Sequence, residues 1–456
     1  MKKITGIFIF VAVGLTTISL AQTQNKGQQK NQHKEYHYFE DSQVCQGCHW
    51  DKYDKFSNSQ HSKGFSGDFF QKQFYDLVVA SETFDPQLKG VTKDCIGCHS
   101  PSAFLAGDAI PKATKNPDNH WNKNNEYKTK ADRGVFCDFC HTMSGFENKV
   151  PFNHDYISDA TEGVDTKYGD LEFPWSPHHE TQTSELYEAL GICASCHNEL
   201  NPYGVWVKAT HHEYEESVFP GKGIICQTCH MQPMGGKPAK MGIPRPYNSD
   251  HWFGGGFTEF VEGAARIQIN LNNLVIKPGD EFDFTIDVQA VATGHKFPTG
   301  SVEQRDVWLH VALVDSEGRE LLHIPIPKNP NDPNDQYFVT SNEIVAYPSH
   351  SKLSEPIVRD ALPEGDRLYH SAFIDSEGKF TFAQWMCVDV IENRLNPLEI
   401  RKESYSFSVP DNLRKEVYLS AKLYYRRMPD SFADYLKIER RPVVEVASDL
   451  RKLEIN

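Results

Sequence analysis

Long apolar runs and basic residues are both scarce in this chain. After an apolar run from Ile4 to Leu20, no stretch of the sequence is apolar enough for a transmembrane helix, so we expect no transmembrane segment in the mature chain. Lysine and arginine number 47 against 62 aspartates and glutamates, and the formal net charge is −15. An acidic surface repels nucleic acid and favours basic or positively patched partners.

Residues 1–21 have the pattern of a secretory signal peptide. Lys2 and Lys3 precede the apolar run, and Ser19-Leu20-Ala21 is a small-x-small cleavage site. The alternative is an uncleaved anchor, because the run is almost long enough to cross a bilayer. Residues 22–40 are rich in Gln, Asn and Lys, which predicts a disordered linker. We therefore expect a periplasmic or otherwise exported protein.

Cysteine is also scarce. Ten of the eleven cysteines lie in five copies of Cys-x-x-Cys-His. The copies are Cys45/Cys48/His49, Cys95/Cys98/His99, Cys137/Cys140/His141, Cys193/Cys196/His197 and Cys226/Cys229/His230. In this spacing two thiols one turn apart add to the two vinyl groups of one porphyrin, and the next residue places an imidazole under its iron. The motifs predict five covalently bound haems c, with the five motif histidines as iron ligands.

Zinc knuckles and thioredoxin-type redox pairs also use Cys-x-x-Cys. Zinc needs four protein ligands, whereas these pairs come one at a time, 50, 42, 56 and 33 residues apart. A thioredoxin-type pair would occur once, near a βαβ pattern. Both alternatives explain less of the sequence than haem attachment does.

Two parts of different composition predict a fold of mixed class. Residues 41–260 are rich in cysteine and histidine and broken by Gly, Pro and Asn, which predicts a mainly α-helical and irregular pentahaem domain whose core is the porphyrins. Residues 261–456 alternate apolar and polar side chains, as at Phe282, Phe284, Ile286 and Val288. This pattern predicts an all-β, sandwich-like domain. Cys387, outside the motifs, is most simply a buried free thiol.

Fifteen of the 20 histidines lie outside the motifs, and some of them should complete the irons. His61 ends a segment that could carry it on a helix towards another haem. His178 and His179 precede the fourth motif, and we expect one of the two to be a ligand. His251 stands shortly before three glycines, which permit close approach of the backbone to a flat ring. Mostly bis-histidine, low-potential haems follow from these ligands.

The remaining histidines leave alternatives open. His295 lies in the loop Gly294 to Gly300, whose glycines and proline would fix it in place. It could cap a haem from the second domain or bond inside a tight turn, and we favour the ligand. Thr210 and Glu213 predict a capping box. It would start the helix that carries His211 and His212. For His211 and His212 a ligand role and a solvent-facing role are equally open. His120 and His154 lie in polar loops, and for them we favour a role other than ligation.

Several segments of the chain carry a resemblance to a known group. They are Ser59-Gln60-His61, Gly134-Val135-Phe136-Cys137-Asp138-Phe139-Cys140-His141, Cys226-Gln227-Thr228-Cys229-His230-Met231, and the segments around His251 and His295. Over about residues 41–300 the chain resembles multihaem cytochromes c related to the tetrahaem cytochrome of nitrifiers and, more distantly, to hydroxylamine oxidoreductase. The resemblance implies that His61, His251 and one of His178 and His179 are distal ligands. It also implies electron conduction through closely stacked haem pairs, and it raises the prospect of one five-coordinate haem.

Two functions remain open at this point, and enzyme status with them. We favour an electron carrier in respiration, with the haem array as the path and the β-domain as a docking platform or wall. Its partners would be redox proteins, such as a quinol-linked membrane complex or another cytochrome. The alternative is an oxidoreductase acting on a small nitrogen or sulfur compound at one five-coordinate haem. A structural or filament-forming cytochrome would leave no mark in the sequence.

Overall fold

The computed structural model describes residues 34–114, 130–257, 259–341, 345–348, 356–359, 362–413 and 416–456. The predicted signal peptide, most of the predicted linker and His120 lie outside the described residues. Within these ranges no helix is long and apolar enough to cross a membrane. We call residues 34–260 the motif region and residues 261–456 the sheet region.

The packed part of the chain begins earlier than the sequence suggested. Lys34 donates its backbone N–H to the carbonyl of Leu105 at 2.8 Å, and the Tyr36 hydroxyl donates to Asp108 at 3.1 Å. Phe39 is buried among the side chains around the third motif. The expectation of a disordered linker as far as residue 40 is therefore wrong for residues 34–40, because their aromatic side chains bury apolar surface that the Gln- and Asn-rich stretch lacks.

Short helices dominate the motif region, and four of the five motifs end a helix at their histidine. The α-helices are Ser42–Gln46, Trp50–Asn58, Asp68–Lys72, Val79–Phe84, Val91–His99, Pro101–Leu105, Cys137–His141, Gly191–His197, Thr210–Glu215 and Cys226–His230, with a π-helical segment at Gln73–Val78. A helical turn places the first and fourth residues of a motif on one face, so its two thiols point the same way.

The first motif differs from the other four, because its second cysteine, Cys48, is not in a helix. Its helix, Ser42–Gln46, ends after Cys45, and Cys48 lies in the turn that follows. The backbone N–H of Cys48 donates to the carbonyl of Cys45 at 3.2 Å, and the carbonyl of Cys48 accepts the N–H of Lys240 at 2.7 Å. Cys48 is therefore still one turn from Cys45, but the turn is not part of a helix. A contact from far along the chain holds its backbone instead, which the local spacing could not predict.

Small two-stranded sheets connect these helices. Met143–Phe146 pairs with Tyr156–Ser158, Thr166–Gly169 with Glu180–Thr183, Glu199–Leu200 with Trp206–Lys208, and Pro233–Gly236 with Arg245–Ser249. The second pair is parallel and the others are antiparallel. The region is thus helical and irregular as expected, with short sheets that the sequence did not indicate.

The sheet region contains two main sheets. Its strands are Ala265–Leu271, Val275–Ile276, Glu281–Ala290, Asp306–Val314, Glu320–His323, Val345–Ala346, Ile357–Val358, Arg367–Leu368, Ser371–Asp375, Cys387–Glu392, Ile400–Ser408, Glu416–Arg426 and Val443–Ile455. Three of them form one sheet, with Glu281–Ala290 between Ile400–Ser408 and Ala265–Leu271. In the larger sheet, Asp306–Val314 pairs with Glu416–Arg426 on one side and with both Glu320–His323 and Arg367–Leu368 on the other.

The alternating pattern read from the sequence corresponds to the core between these sheets. Phe284 and Ile286 of the smaller sheet share one buried cluster with Leu309, Val311 and Leu419 of the larger sheet. This two-layer arrangement is consistent with the predicted sandwich. The region is not all-β, however, because the helix Asp430–Leu436 follows the strand that ends at residue 426.

A second core crosses the predicted domain boundary near residue 260. Phe74 and Leu88 of the motif region pack in one buried cluster with Phe382, Trp385 and Phe432 of the sheet region. Apolar burial of this kind, at roughly 25 cal/mol per Å², is a strong reason for two segments to stay together.

Polar contacts reinforce the same junction. The side-chain amide of Asn201 donates to the carbonyls of Gln384 at 2.9 Å and Cys387 at 2.7 Å. Cys387 itself is buried, its thiol donates to the carbonyl of Asp389, and burial raises the pKa of that thiol to about 12. A thiol in this setting is a packing residue rather than a nucleophile.

Candidate haem centres

Four of the five motif histidines are held by a distant backbone carbonyl. Their Nδ1 atoms lie 2.9 Å from the carbonyl of Pro238 for His49, 2.7 Å from Gly64 for His99, 2.6 Å from Tyr168 for His141 and 2.5 Å from Gly254 for His230. A carbonyl only accepts, so each Nδ1 carries the proton and donates it. The other ring nitrogen, Nε2, is then the unprotonated one that a metal needs.

Four motif histidines also face a histidine from outside the motifs. The ring centroids are 6.4 Å apart for His49 and His179, 6.2 Å for His141 and His251, 6.0 Å for His197 and His61, and 6.3 Å for His230 and His295. A metal bound by two imidazole nitrogens at about 2.0–2.1 Å each puts the two ring centroids about 6 Å apart. The four pairs therefore fit one six-coordinate iron each.

His61 is brought to the fourth motif by the turn that follows the helix Trp50–Asn58. Its carbonyl accepts the backbone N–H of Val135 at 2.9 Å. Gly134 has φ +62°, and a Cβ at this position would lie 2.6 Å from the carbonyl oxygen of His61. A side chain on residue 134 would force the two backbones apart, which explains the glycine in front of the third motif.

The structure separates the two candidates that the sequence left open before the fourth motif. His179 faces His49, and its Nδ1 lies 3.0 Å from the carbonyl of Glu180. His178 is exposed and uses its backbone N–H to bond the hydroxyl of Ser176. The geometry favours His179 as the ligand.

His251 and His295 reach their partners from loops. His251 Nδ1 lies 3.0 Å from the carbonyl of Ser249, which turns the ring towards His141. His295 Nδ1 lies 2.9 Å from the carbonyl of Lys296, and its ring is nearly parallel to that of His230. The second pair joins the two regions of the chain.

Burial keeps several of these imidazoles neutral. It lowers the pKa of His61 and of His251 to about 3. It also lowers the pKa of His99 and of His197 to about 4. A neutral imidazole is the form that binds a metal, so these rings are ready for ligation at any ordinary pH.

The second motif differs from the others. Among the described residues no second imidazole faces His99 at such a distance, and the ring of Phe70 stacks on it with centroids 4.0 Å apart. The Lys208 ammonium, which is paired with the Glu199 carboxylate, lies near enough to affect the pKa of His99. Both partners of this ion pair are about four-fifths shielded from solvent, at 19% and 20% side-chain exposure. Neither Lys208 nor Glu199 lies in a motif from which the sequence would predict it.

The weaker histidine candidates bond elsewhere. His154 Nε2 lies 3.0 Å from Asp94, His211 Nε2 lies 3.5 Å from Glu215, and His212 stacks on Trp206. The predicted capping box is wrong, because the residue before the helix is an alanine and no side chain caps it. The carboxylate of Glu213, which the capping box would have used, instead binds side chains of the sheet region.

Thiols of different motifs lie near each other. Cys45 and Cys137, Cys98 and Cys196, and Cys193 and Cys226 are close enough for the second thiol of each pair to raise the pKa of the first, and Cys196 likewise raises the pKa of Cys140. The motifs therefore neighbour each other in the order first, third, fourth and fifth, with the second beside the fourth. This order differs from the order along the chain.

The remaining motif cysteines differ in how far they are shielded. Cys48 and Cys95 are half-buried, whereas Cys229 is exposed. Cys48 therefore differs from Cys45 of the same motif both in its backbone, which is a turn rather than a helix, and in lying outside the thiol pairs just described. Its role as the second attachment point of the first haem stays a prediction from the motif spacing.

Two comparisons bear on what these motifs hold. Residues 44–142 match the model of a family described as cytochrome c554 and c-prime. The chain is also similar to the crystal structure of a penta-heme cytochrome c552 from Thermochromatium tepidum, with a TM-score of 0.57 and 18% identity, over 91% of this chain and 100% of that one. Together they support a multihaem c-type cytochrome. At this identity the structural likeness concerns the fold, and kinship with hydroxylamine oxidoreductase stays a prediction.

Two further structural similarities of the chain are slight. The sporulation control protein Spo0M from Bacillus subtilis matches 42% of the chain and 50% of its own, with a TM-score of 0.17 and 11% identity. The protein AvmM, which catalyses macrocyclization in alchivemycin A biosynthesis, matches 43% of the chain and 90% of its own, with a TM-score of 0.21 and 8% identity. No curated protein matches the chain.

Proposed function

We propose that this chain is an exported pentahaem cytochrome that carries electrons in respiration. The observation that carries the proposal is the set of four histidine pairs, because an iron with protein ligands on both faces has no position for a substrate and exchanges electrons only. The five motifs support a count of five haems. The covalently bound haems would supply the electron chemistry, and the chain would supply their spacing and their environment.

The contacts between motifs support a path for the electrons. The order first, third, fourth and fifth would form a line, and the second motif would be a branch beside the fourth. The line runs from the first motif, next to Pro238 and His179, to the fifth, which His295 joins to the sheet region. The acidic surface would steer basic redox partners, with encounter rates that fall as salt rises.

A spin-state census of the purified ferric protein tests the assignment, after intact mass has counted the haems. We expect five haem masses on the chain and four low-spin haems with one high-spin haem in the electron paramagnetic resonance spectrum. Two or more high-spin haems would contradict the histidine pairs. Fewer than five haem masses would contradict the count.

A second function, reduction or oxidation of a small nitrogen or sulfur compound, is favoured by one observation. His99 faces no second imidazole among the described residues, so the iron of the second motif would keep one open position. Lys208 provides a cation near this motif and, with Glu199, a group that can hold or move a proton. Such a setting suits a small anionic ligand.

Anion binding distinguishes the two functions. Titration of the ferric protein with nitrite or cyanide should change the spectrum of one haem and leave the other four unaltered. The variant Lys208→Gln should bind the anion more weakly, whereas Lys222→Gln, at an exposed position, should not. Absence of any spectral change at saturating anion would reject the second function and leave the carrier.

A further inference from the structure

Three potential metal ligands converge in the sheet region, far from the haem motifs in sequence. His310 lies on the strand Asp306–Val314, His323 ends the next strand, and Asp366 immediately precedes the strand Arg367–Leu368. The two later strands pair with the first along the same edge, at Ala312 with His323 and at Trp308 with Leu368. His310 therefore lies at the gap between them, where the other two side chains meet it.

The distances are those of a compact site. The Asp366 carboxylate lies 2.9 Å from His310 Nδ1 and 2.7 Å from His323 Nε2. The two imidazoles stack with centroids 5.0 Å apart and an angle of 12° between their planes. One donor atom from each of the three residues falls within 4.8 Å of the other two. A single ion could therefore contact all three without a backbone shift.

The surrounding backbone fixes the carboxylate. The Asp366 side chain is 1% exposed, and the backbone of Asp366 exchanges hydrogen bonds with Thr340, at 2.8 Å to the hydroxyl and 2.9 Å from the Thr340 N–H. Gly365 has φ +95°, and a Cβ there would lie 2.6 Å from Pro325 and 3.7 Å from the His323 ring. The approach of this backbone to Pro325, two residues after His323, thus requires glycine.

A fourth residue orients one of the imidazoles from outside. His310 Nε2 lies 3.0 Å from the Glu320 carboxylate. Histidines that bind metals typically donate their second ring N–H to a carboxylate, which fixes the tautomer and raises the basicity of the ligating nitrogen. His310 would then bind through Nδ1 while Nε2–H donates to Glu320. Each member of the group then has a role: His310, His323 and Asp366 as ligands, and Glu320 as the acceptor that orients His310.

We propose that His310, His323 and Asp366 form a binding site for a divalent first-row transition metal of the zinc class, with water in the remaining position. Two imidazoles and one carboxylate are a donor set that such ions prefer, whereas calcium and magnesium prefer oxygen alone. The ion would link strands whose ligands His323 and Asp366 are 43 residues apart, closing the intervening segment. It would be independent of the haem irons, because it shares no residue with them.

Zinc retention by the haem-loaded protein tests the site. The holoprotein is treated with EDTA, titrated with zinc chloride and analysed for zinc per chain after dialysis. We expect one zinc per chain. Asp366→Asn and His323→Gln should weaken binding roughly 100-fold or more, and Glu320→Gln about 10-fold. His212→Gln is the matched control and should change nothing. Among the described residues, His212 pairs with one carboxylate, Glu216 at 3.4 Å.

Zinc K-edge absorption gives a readout that the haems do not obscure. Two imidazole nitrogens and one or two oxygens at about 2.0–2.1 Å would support the site. The proposal is overturned if the wild-type chain retains no zinc, if His323→Gln retains as much as wild type, or if His212→Gln loses as much as His323→Gln. The His323 variant decides the matter if Asp366→Asn fails to fold, since His323 lies at a partly exposed position.

Discussion

The motif region and the sheet region are held together by different kinds of interaction. In the sheet region, apolar side chains of two sheets, such as Ile286 and Leu309, bury each other without a bound cofactor. In the motif region, short helices are tied together by hydrogen bonds from motif histidines to distant carbonyls, by histidine pairs and by a few aromatic clusters. Packing therefore specifies one region from its own side chains, whereas ligation should specify much of the other.

Removing the haems should separate the two regions most strongly. In a chain whose ten motif cysteines are replaced by alanine, we expect backbone amides of the helix Val91–His99 to lose protection from hydrogen exchange, while those of the strand Glu416–Arg426 keep it. The reason is that a site formed by ligation contributes its free energy only when the ligand is bound. Equal protection of both elements would show that the motif region folds by packing alone.

Breaking the ligand that crosses between the regions should have the next largest effect. His295→Ala should convert one low-spin haem to high spin, because His230 would lose the imidazole that faces it at 6.3 Å. The matched control is His178→Ala, which removes an exposed histidine that faces no motif histidine in the described structure. Electron paramagnetic resonance and carbon monoxide binding report the change. Unaltered spectra in His295→Ala would show that His295 does not ligate an iron and that packing and polar contacts alone join the two regions.

The buried ion pair across the junction should contribute a measurable share of stability. Arg394 lies 2.6 Å from Glu213, and their side chains are 6% and 4% exposed. Arg394→Ala leaves a buried carboxylate without its partner, which should lower the free energy of unfolding by about 3–5 kcal/mol in denaturant titrations. Arg319→Ala, which breaks a surface pair with Asp315, should have a much smaller effect because solvent screens that pair. Similar losses in both variants would show that the buried pair at the junction stabilises the fold no more than a surface pair does.

Acid should weaken the neighbouring pair of Glu392 and Arg394, within the sheet region, by a smaller amount. Burial opposes ionisation of Glu392, but Arg394 outweighs it and lowers the pKa of Glu392 to about 2. The folded pKa lies below the unfolded value of about 4.3, so this stabilisation is complete above about pH 5 and is lost as the pH falls towards 2. Glu392→Gln should therefore cost on the order of 2 kcal/mol at pH 7 and less at pH 3. For Glu317→Gln, at an exposed position, we expect no such difference between the two pH values.

The sequence predicted what local chemistry determines. A Cys-x-x-Cys-His motif defines its own attachment site within five residues, and the comparisons support a multihaem c-type cytochrome. A period of two in apolar residues predicts strands wherever the pattern holds, and the sheet-rich character of residues 261–456 confirms it. The distal histidines were chosen on local grounds, such as glycines nearby, and remain predictions that the ring distances support.

Long-range contacts explain what the sequence did not predict. Which motif His61 faces is decided by a turn and by Gly134, more than seventy residues later. The backbone of Cys48 is likewise held by Lys240, so the first motif ends in a turn where the other four are helical. Glu213 was expected to cap its own helix, but it accepts hydrogen bonds from the other region, where Arg394 offers a full charge. A charged tertiary partner outcompetes a local cap.

The neighbour order of the motifs has a consequence for how the chain is made. Thiols from different motifs lie close enough for one to raise the pKa of the other in three places, at Cys45 with Cys137, Cys98 with Cys196, and Cys193 with Cys226. In an oxidising compartment, thiols held this close form disulfides, which would leave neither motif able to take up its porphyrin. Productive biogenesis would then require that each thioether forms before its neighbour arrives. If such a disulfide formed first, a reductase would have to open it before the two motifs could bind their haems.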